Sequence, residues 1–121
     1  MDSSENSPQW LLNFINIYQT LNTENVNDIC NIYHDNIVFE DPIHKVEGLD
    51  NLLGYFNNLY QNLSFCEFTI NDYFYKDNKA AVYWAMSFQH EKLNGGKKVN
   101  VIGHTHLQGI DDKVIYHRDY L

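Results

Sequence analysis

Cysteine, proline and positive charge are all scarce in this 121-residue chain. The two cysteines, Cys30 and Cys66, sit among apolar residues with no CxxC or other ligand spacing, so a disulfide scaffold is excluded and two buried free thiols are expected. Eight Lys and Arg face sixteen Asp and Glu, a formal net charge of -8. Only Lys97-Lys98 makes a basic run, which disfavours nucleic-acid backbones and anionic membrane surfaces as partners. No apolar stretch approaches the length that spans a bilayer, and Met1 to Pro8 offers neither a basic n-region nor an apolar core. A reducing, cytoplasmic setting is the expectation. Internal repeats, linkers and low-complexity tracts are missing too, and the length suits one domain.

Aromatic rings are abundant, with nine Tyr, seven Phe and two Trp making 15% of the chain. Large apolar bodies with polar tips must therefore line a core, a pocket or an interface. Residues 1–7 are small and polar and are expected to be disordered, leaving 8–121 as the domain. From Pro8 onward Leu11, Phe14, Tyr18 and Leu21 recur at helical spacing, and Val26, Ile29, Cys30 and Tyr33 repeat it on a second, short helix. His34-Asp35-Asn36 stops that helix, and Ile37–Glu40 reads as a strand. The acidic pair Glu40-Asp41 then runs into Pro42, which withholds a donor and biases Asp41 toward extended backbone. After the loop or hairpin Ile43–Gly48, the apolar stripe Leu49, Leu52, Leu53, Phe56, Leu59, Tyr60 and Leu63 marks the strongest helix. Gly54 inside it suggests a close backbone approach.

Beyond Ser64 four β-rich runs, 65–75, 79–92, 97–110 and 113–121, are separated by Asp77-Asn78, Asn94-Gly95-Gly96 and Asp111-Asp112, all hairpin turn chemistry. The expected fold is α+β, with three N-terminal helices packed on a curved, mainly antiparallel sheet. Closing the last hairpin symmetrically around Asp111-Asp112 pairs His106 with His117 and His104 with Asp119, all on one face; a one-residue slip would turn the set over. A three-residue loop at Asn94–Gly96 sets Met86 opposite His104 and Trp84 opposite His106, whereas a two-residue loop sets Ala85 opposite His104. The first register gives a strip of imidazoles and a carboxylate flanked by Trp84, Met86, Phe88 and Ile102. Facing the helices it would be a pocket wall; facing outward, a wet surface or dimer interface. His104-Thr105-His106 with His117 could hold a divalent metal, but H-x-H is common by chance and no metal or cofactor is expected.

The order of elements, together with Ile32–Pro42, Val46-Glu47-Gly48, Leu93–Gly96 and Ile115–Leu121, resembles the nuclear-transport-factor-2-like superfamily, in its SnoaL-like branch. The resemblance covers nearly the whole chain from Gln9. It implies a cone-shaped fold enclosing a pocket for a small, largely apolar, carbonyl-type ligand, a homodimer formed through the sheet, and a further acidic residue and short helix beyond Leu121. Ketosteroid isomerases carry their general base in a Glu-Asp-Pro that matches Asp41, and an apolar site would raise its pKa toward the useful range. Their oxyanion-hole tyrosine and aspartate fall on Ile17, next to Tyr18, and on His104. SnoaL-type polyketide cyclases place a catalytic aspartate in a His-x-Asp context that resembles His117-Arg118-Asp119. The candidate catalytic residues are thus Asp41, His104 and Asp119. Tyr18, Phe39, Phe56, Trp84, Met86, Ile102, His106 and His117 are the candidate ligand contacts. Isomerisation, cyclisation or hydration with Asp41 as base is one reading, and a non-catalytic binding or dimerisation module of the same fold is the other.

Overall fold

The computed structural model describes residues 6–121, so the expectation for the first five residues lies outside it. Ser7 is tied down, with its hydroxyl 3.3 Å from that of Tyr73. Helix α1 (Gln9–Thr20) buries Trp10, Leu11, Phe14 and Tyr18, the face that the three-and-four spacing marks out. A 3-10 turn (Val26–Asn31) follows where an α-helix is expected. Tyr33 opens strand β1 (Tyr33–Glu40), four residues ahead of the expected start. Two α-helices therefore replace the expected three, because Val26 and Ile29 need only two 3-10 turns to reach the core.

A tight hairpin joins β1 to β2 (Lys45–Glu47), and Gly48, at φ 88°, turns the chain into helix α2 (Leu49–Tyr60). Only a residue without Cβ adopts that φ cheaply. Helix α2 buries Leu52, Phe56 and Tyr60 and stops three residues before the expected end. A Cβ on Gly54 would meet nothing within 4 Å, so no close approach explains this glycine. The long strands β3 (Leu63–Lys76), β4 (Lys79–His90), β5 (Val99–Ile110) and β6 (Lys113–Tyr120) complete a six-stranded sheet of order β2-β1-β6-β5-β4-β3. All its pairings are antiparallel except β1 with β6. Both aspartates of the last turn, Asp111 and Asp112, take positive φ, as a two-residue hairpin of right-handed twist requires.

Register is where the expectation fails. Ile110 does face Lys113, but between Gln108 and Gly109 the pairing shifts by one, so Ile115 is an extra residue on β6. Thr105 then faces Asp119 and Leu107 faces His117, while His104 pairs with Tyr120 and His106 with Arg118. The bulge coincides with Gly109, where an added Cβ would lie 2.2 Å from the indole of Trp10. The connection between β4 and β5 is also longer than two or three residues, because a 3-10 turn (Asn94–Gly96) lies within it. Tyr83, not Ala85 or Met86, pairs with His104, and Ala81, not Trp84, pairs with His106. Cys66 is buried as expected, whereas Cys30 is partly exposed. Among the described residues, no helix is long and apolar enough to cross a membrane.

Candidate functional site

Between the two helices and the inner face of the sheet lies a cavity of about 300 Å³. Helix α1 contributes Phe14 and Tyr18, and helix α2 contributes Tyr55, Phe56, Leu59 and Tyr60. Strands β3 and β4 supply Phe68, Ile70, Trp84, Met86 and Phe88. Thr105, His117 and Asp119 come from the last two strands, and Phe39 and Asp41 from β1 and the residue after it. Strand alternation does this work, since residues two apart share a face. Six expected ligand contacts, Tyr18, Phe39, Phe56, Trp84, Met86 and His117, thus converge on one space with two of the expected catalytic residues, Asp41 and Asp119.

His104, His106 and Ile102 do not join them. The Ile115 bulge puts His104 and His106 on the outer face, where His104 stacks between the rings of Tyr120 and Tyr83 at centroid distances of 4.9 and 5.3 Å. Ile102 is 77% exposed. The His104 to Asp119 hydrogen bond does not form, and His104, His106 and His117 do not share a face.

What does form is a buried chain of hydrogen bonds ending at Asp119. Tyr18 and Tyr33 hydroxyls are 2.6 Å apart, the Tyr33 hydroxyl is 2.8 Å from His117 Nδ1, and His117 Nε2 is 2.7 Å from Asp119 Oδ1. On the other side the Trp84 indole N–H donates to Thr105 Oγ1 at 2.8 Å, and Thr105 donates to the same Asp119 oxygen at 2.6 Å. With an ionised carboxylate, which only accepts, and a neutral imidazole, His117 donates through Nε2 and accepts through Nδ1. Tyr33 must then donate to His117, and Tyr18 to Tyr33. Every proton in the chain points toward Asp119. Burial pushes the Tyr18 and Tyr33 hydroxyls well above the usual tyrosine range, which keeps them protonated as donors. Oδ2 of Asp119 accepts no hydrogen bond from the described residues and is left for the cavity.

Asp41 is held differently. The amides of Ile43 and His44 donate to its Oδ1 at 2.9 and 2.6 Å, and the Tyr55 hydroxyl donates to Oδ2 at 2.6 Å. Burial raises its pKa, but these donors together outweigh burial and hold it below the ordinary 3.8, contrary to the raised value expected of a base in an apolar site. Asp41 is the turn-closing residue of the β1–β2 hairpin, with a carboxylate edge on the cavity. Phe39 and Glu40 pair with His117 and Arg118 on the parallel neighbour, so one further step of that register brings Asp41 alongside Asp119.

Two site residues escaped the sequence reading for identifiable reasons. Tyr33 fits the helical spacing of Val26 and Ile29 and is masked by it. Tyr55 lies beside the apolar stripe of α2, one residue before Phe56, and only the hairpin's return brings Asp41 to it. Tyr60 is legible as a core position of the apolar stripe but not as a polar one. Tyr60 is 4% exposed, its hydroxyl has no partner among the described residues, and no sealed-off side-chain polar atom lacks one, so this hydroxyl opens on the cavity. Burial pushes its pKa well above the usual value and keeps it a donor.

The SnoaL-like domain profile matches residues 14–117. The chain belongs to the SnoaL-like family. No curated protein matches it. Among solved structures, a protein from Jannaschia sp. CCS1 described as a SnoaL-like polyketide cyclase has a TM-score of 0.79 at 14% identity, covering 99% of this chain and 90% of its own. A hypothetical protein of ketosteroid isomerase-like fold from Catenulispora acidiphila, in complex with trimethylamine, has a TM-score of 0.79 at 11% identity over 95% of this chain and 86% of that one. An LEH-like epoxide hydrolase from M. tuberculosis reaches 0.74 at 14% identity over 94% and 76%. At such identities the likeness is one of fold. In this SnoaL-like chain the closing His117-Arg118-Asp119 points its first and third side chains inward, and Arg118 turns outward toward Glu40, 3.7 Å away.

Proposed function

We propose that this SnoaL-like domain binds a small, largely apolar, carbonyl-bearing molecule in the helix–sheet cavity and removes a proton beside the carbonyl with Asp119 as general base. The observation that carries this reading is the asymmetry of the Asp119 carboxylate. Oδ1 is clamped by Thr105 and His117, while Oδ2 stands free toward an apolar space. A base needs both a fixed pose and an open lone pair. The Tyr60 hydroxyl is the uncommitted donor for the carbonyl oxygen on which negative charge develops as the proton leaves. Where a double bond adjoins the acidic carbon, Asp119 returns the proton to the far carbon of the dienolate and so shifts the double bond. Where a second carbonyl is in reach, the enolate carbon attacks it, a C–C bond closes the ring, and the resulting alkoxide takes the proton back from Asp119.

Asp41, the base that the isomerase resemblance implies, is less suited. Two backbone amides, the Tyr55 hydroxyl and the His44 ring hold its oxygens and lower its basicity. Its place in this proposal is electrostatic, at the cavity edge. The cavity volume corresponds to a ligand of about ten to fifteen non-hydrogen atoms, taking ~30 Å³ per water-sized group as the loose limit and denser packing as the tight one. Titrating 15N-labelled protein with 2-tetralone is expected to shift the Trp84 indole N–H and the amides of Thr105 and Asp119. Shifts confined to Ile102, His104 and His106 would instead place binding on the outer face and overturn the proposal.

A further inference from the structure

Most polar hydrogens on the cavity wall are committed within the protein. Tyr55 donates to Asp41, Thr105 to Asp119, Trp84 to Thr105, His117 to Asp119 and Tyr18 to Tyr33. One donor, the Tyr60 hydroxyl, remains. What the wall offers in excess is negative potential. Asp119 presents a free carboxylate oxygen, Asp41 presents the edge of a second carboxylate, and nine of the eighteen lining residues are aromatic. Among the described residues, no lysine or arginine lines the space. Ring faces carry the negative side of the aromatic quadrupole, so an apolar box of rings with two carboxylates is attractive to a positive charge and hostile to an anion. The chain's net charge of -8 adds a long-range field of the same sign.

We infer that the ligand of this cavity carries a positive charge: its apolar body bears an alkylated ammonium nitrogen, tertiary and protonated or quaternary. The inference rests on the cavity being the ligand site and sharpens the chemistry of what enters it. The Asp41 and Asp119 carboxylates together supply the counter-charge, the surrounding rings solvate the alkyl groups on nitrogen, and the Tyr60 hydroxyl serves an oxygen on the same molecule. A neutral hydrocarbon of equal shape would gain the apolar contacts and nothing from the carboxylates. An organic anion would meet uncompensated repulsion.

The test is a matched pair of probes at constant ionic strength, benzyltrimethylammonium and its uncharged isostere neopentylbenzene, titrated against wild type, Asp119→Asn and the double variant Asp41→Asn/Asp119→Asn. In wild type the cation should bind about tenfold more tightly than the isostere. That preference should shrink in Asp119→Asn and vanish in the double variant, with neopentylbenzene affinity unchanged throughout as evidence that the cavity remains folded. Equal or tighter wild-type binding of the neutral probe would overturn the charge assignment and leave the carbonyl-pocket reading standing. Binding of neither probe would overturn both. A cation preference that persists undiminished in the double variant would trace to the diffuse surface charge and also overturn the inference.

Discussion

His117→Leu is expected to lower the stability of this domain by about 3 kcal/mol and its thermal midpoint by roughly 10 °C. Leucine can keep much of the ring's apolar contact with Phe14 and Phe39, whose centroids lie 5.7 and 4.5 Å from that of His117. It cannot replace either hydrogen bond. The Tyr33 hydroxyl loses its acceptor at a site 2% exposed, and Asp119 loses one of two donors on Oδ1. Each orphaned buried polar group costs about 1 to 3 kcal/mol, which exceeds the gain from a more apolar side chain. Removing the partner as well should recover part of the loss, so Tyr33→Phe/His117→Leu is expected to be more stable than the two single effects summed. Urea unfolding of the four proteins measures this. A His117→Leu loss below 1 kcal/mol, or strict additivity in the double variant, would mean that the chain of hydrogen bonds does not hold Asp119.

Gly109→Val should be comparably damaging, by about 3 kcal/mol, for a steric reason. An ideal Cβ at this position falls 2.2 Å from Trp10 Cε2 and 2.4 Å from its Nε1, far inside contact distance. Trp10 is 6% exposed in the core, so the indole has nowhere to swing without moving α1 away from the sheet. Helix α1 carries Phe14 and Tyr18 of the cavity wall, and the strain would therefore reach the site. Gly54→Ala supplies the contrast. With nothing near the added methyl and helical backbone on both sides, it should stabilise the domain by up to about 1 kcal/mol. Thermal unfolding of the two variants should move in opposite directions, and a harmless Gly109→Val would refute the close packing of Trp10 on β5.

The same glycine explains how far the sequence could be read. Period-two alternation correctly sends Trp84 and Met86 to one face of β4, and period-three-and-four spacing correctly buries Leu11, Phe14 and Tyr18 on α1. The turn residues mark the hairpins, because Asp111, Asp112 and Gly95 must each tolerate positive φ. Local chemistry does not say where a strand takes an extra residue. The bulge at Ile115 lies where Trp10 packs against Gly109, a long-range contact, and it exchanges the faces of the imidazoles on β5 relative to His117 and Asp119 on β6. Gly109, one residue before the end of β5, was the available sign of it. Asp41 shows a second limit. Glu-Asp-Pro announces a constrained carboxylate, but not that the hairpin amides, the His44 ring and Tyr55 of α2 all meet it, which lowers the pKa where an apolar site would raise it.

On the proposed reading Asp119, not Asp41, takes a proton from a ligand in the cavity. Deuterium exchange beside the carbonyl of 2-tetralone, followed by NMR in heavy water, reads this directly. Wild type should accelerate the exchange, Asp119→Asn should lose that acceleration by about a hundredfold, and Asp41→Asn should retain most of it. Exchange at the wild-type rate in Asp119→Asn, or loss of exchange in Asp41→Asn alone, would rule out Asp119 as the base.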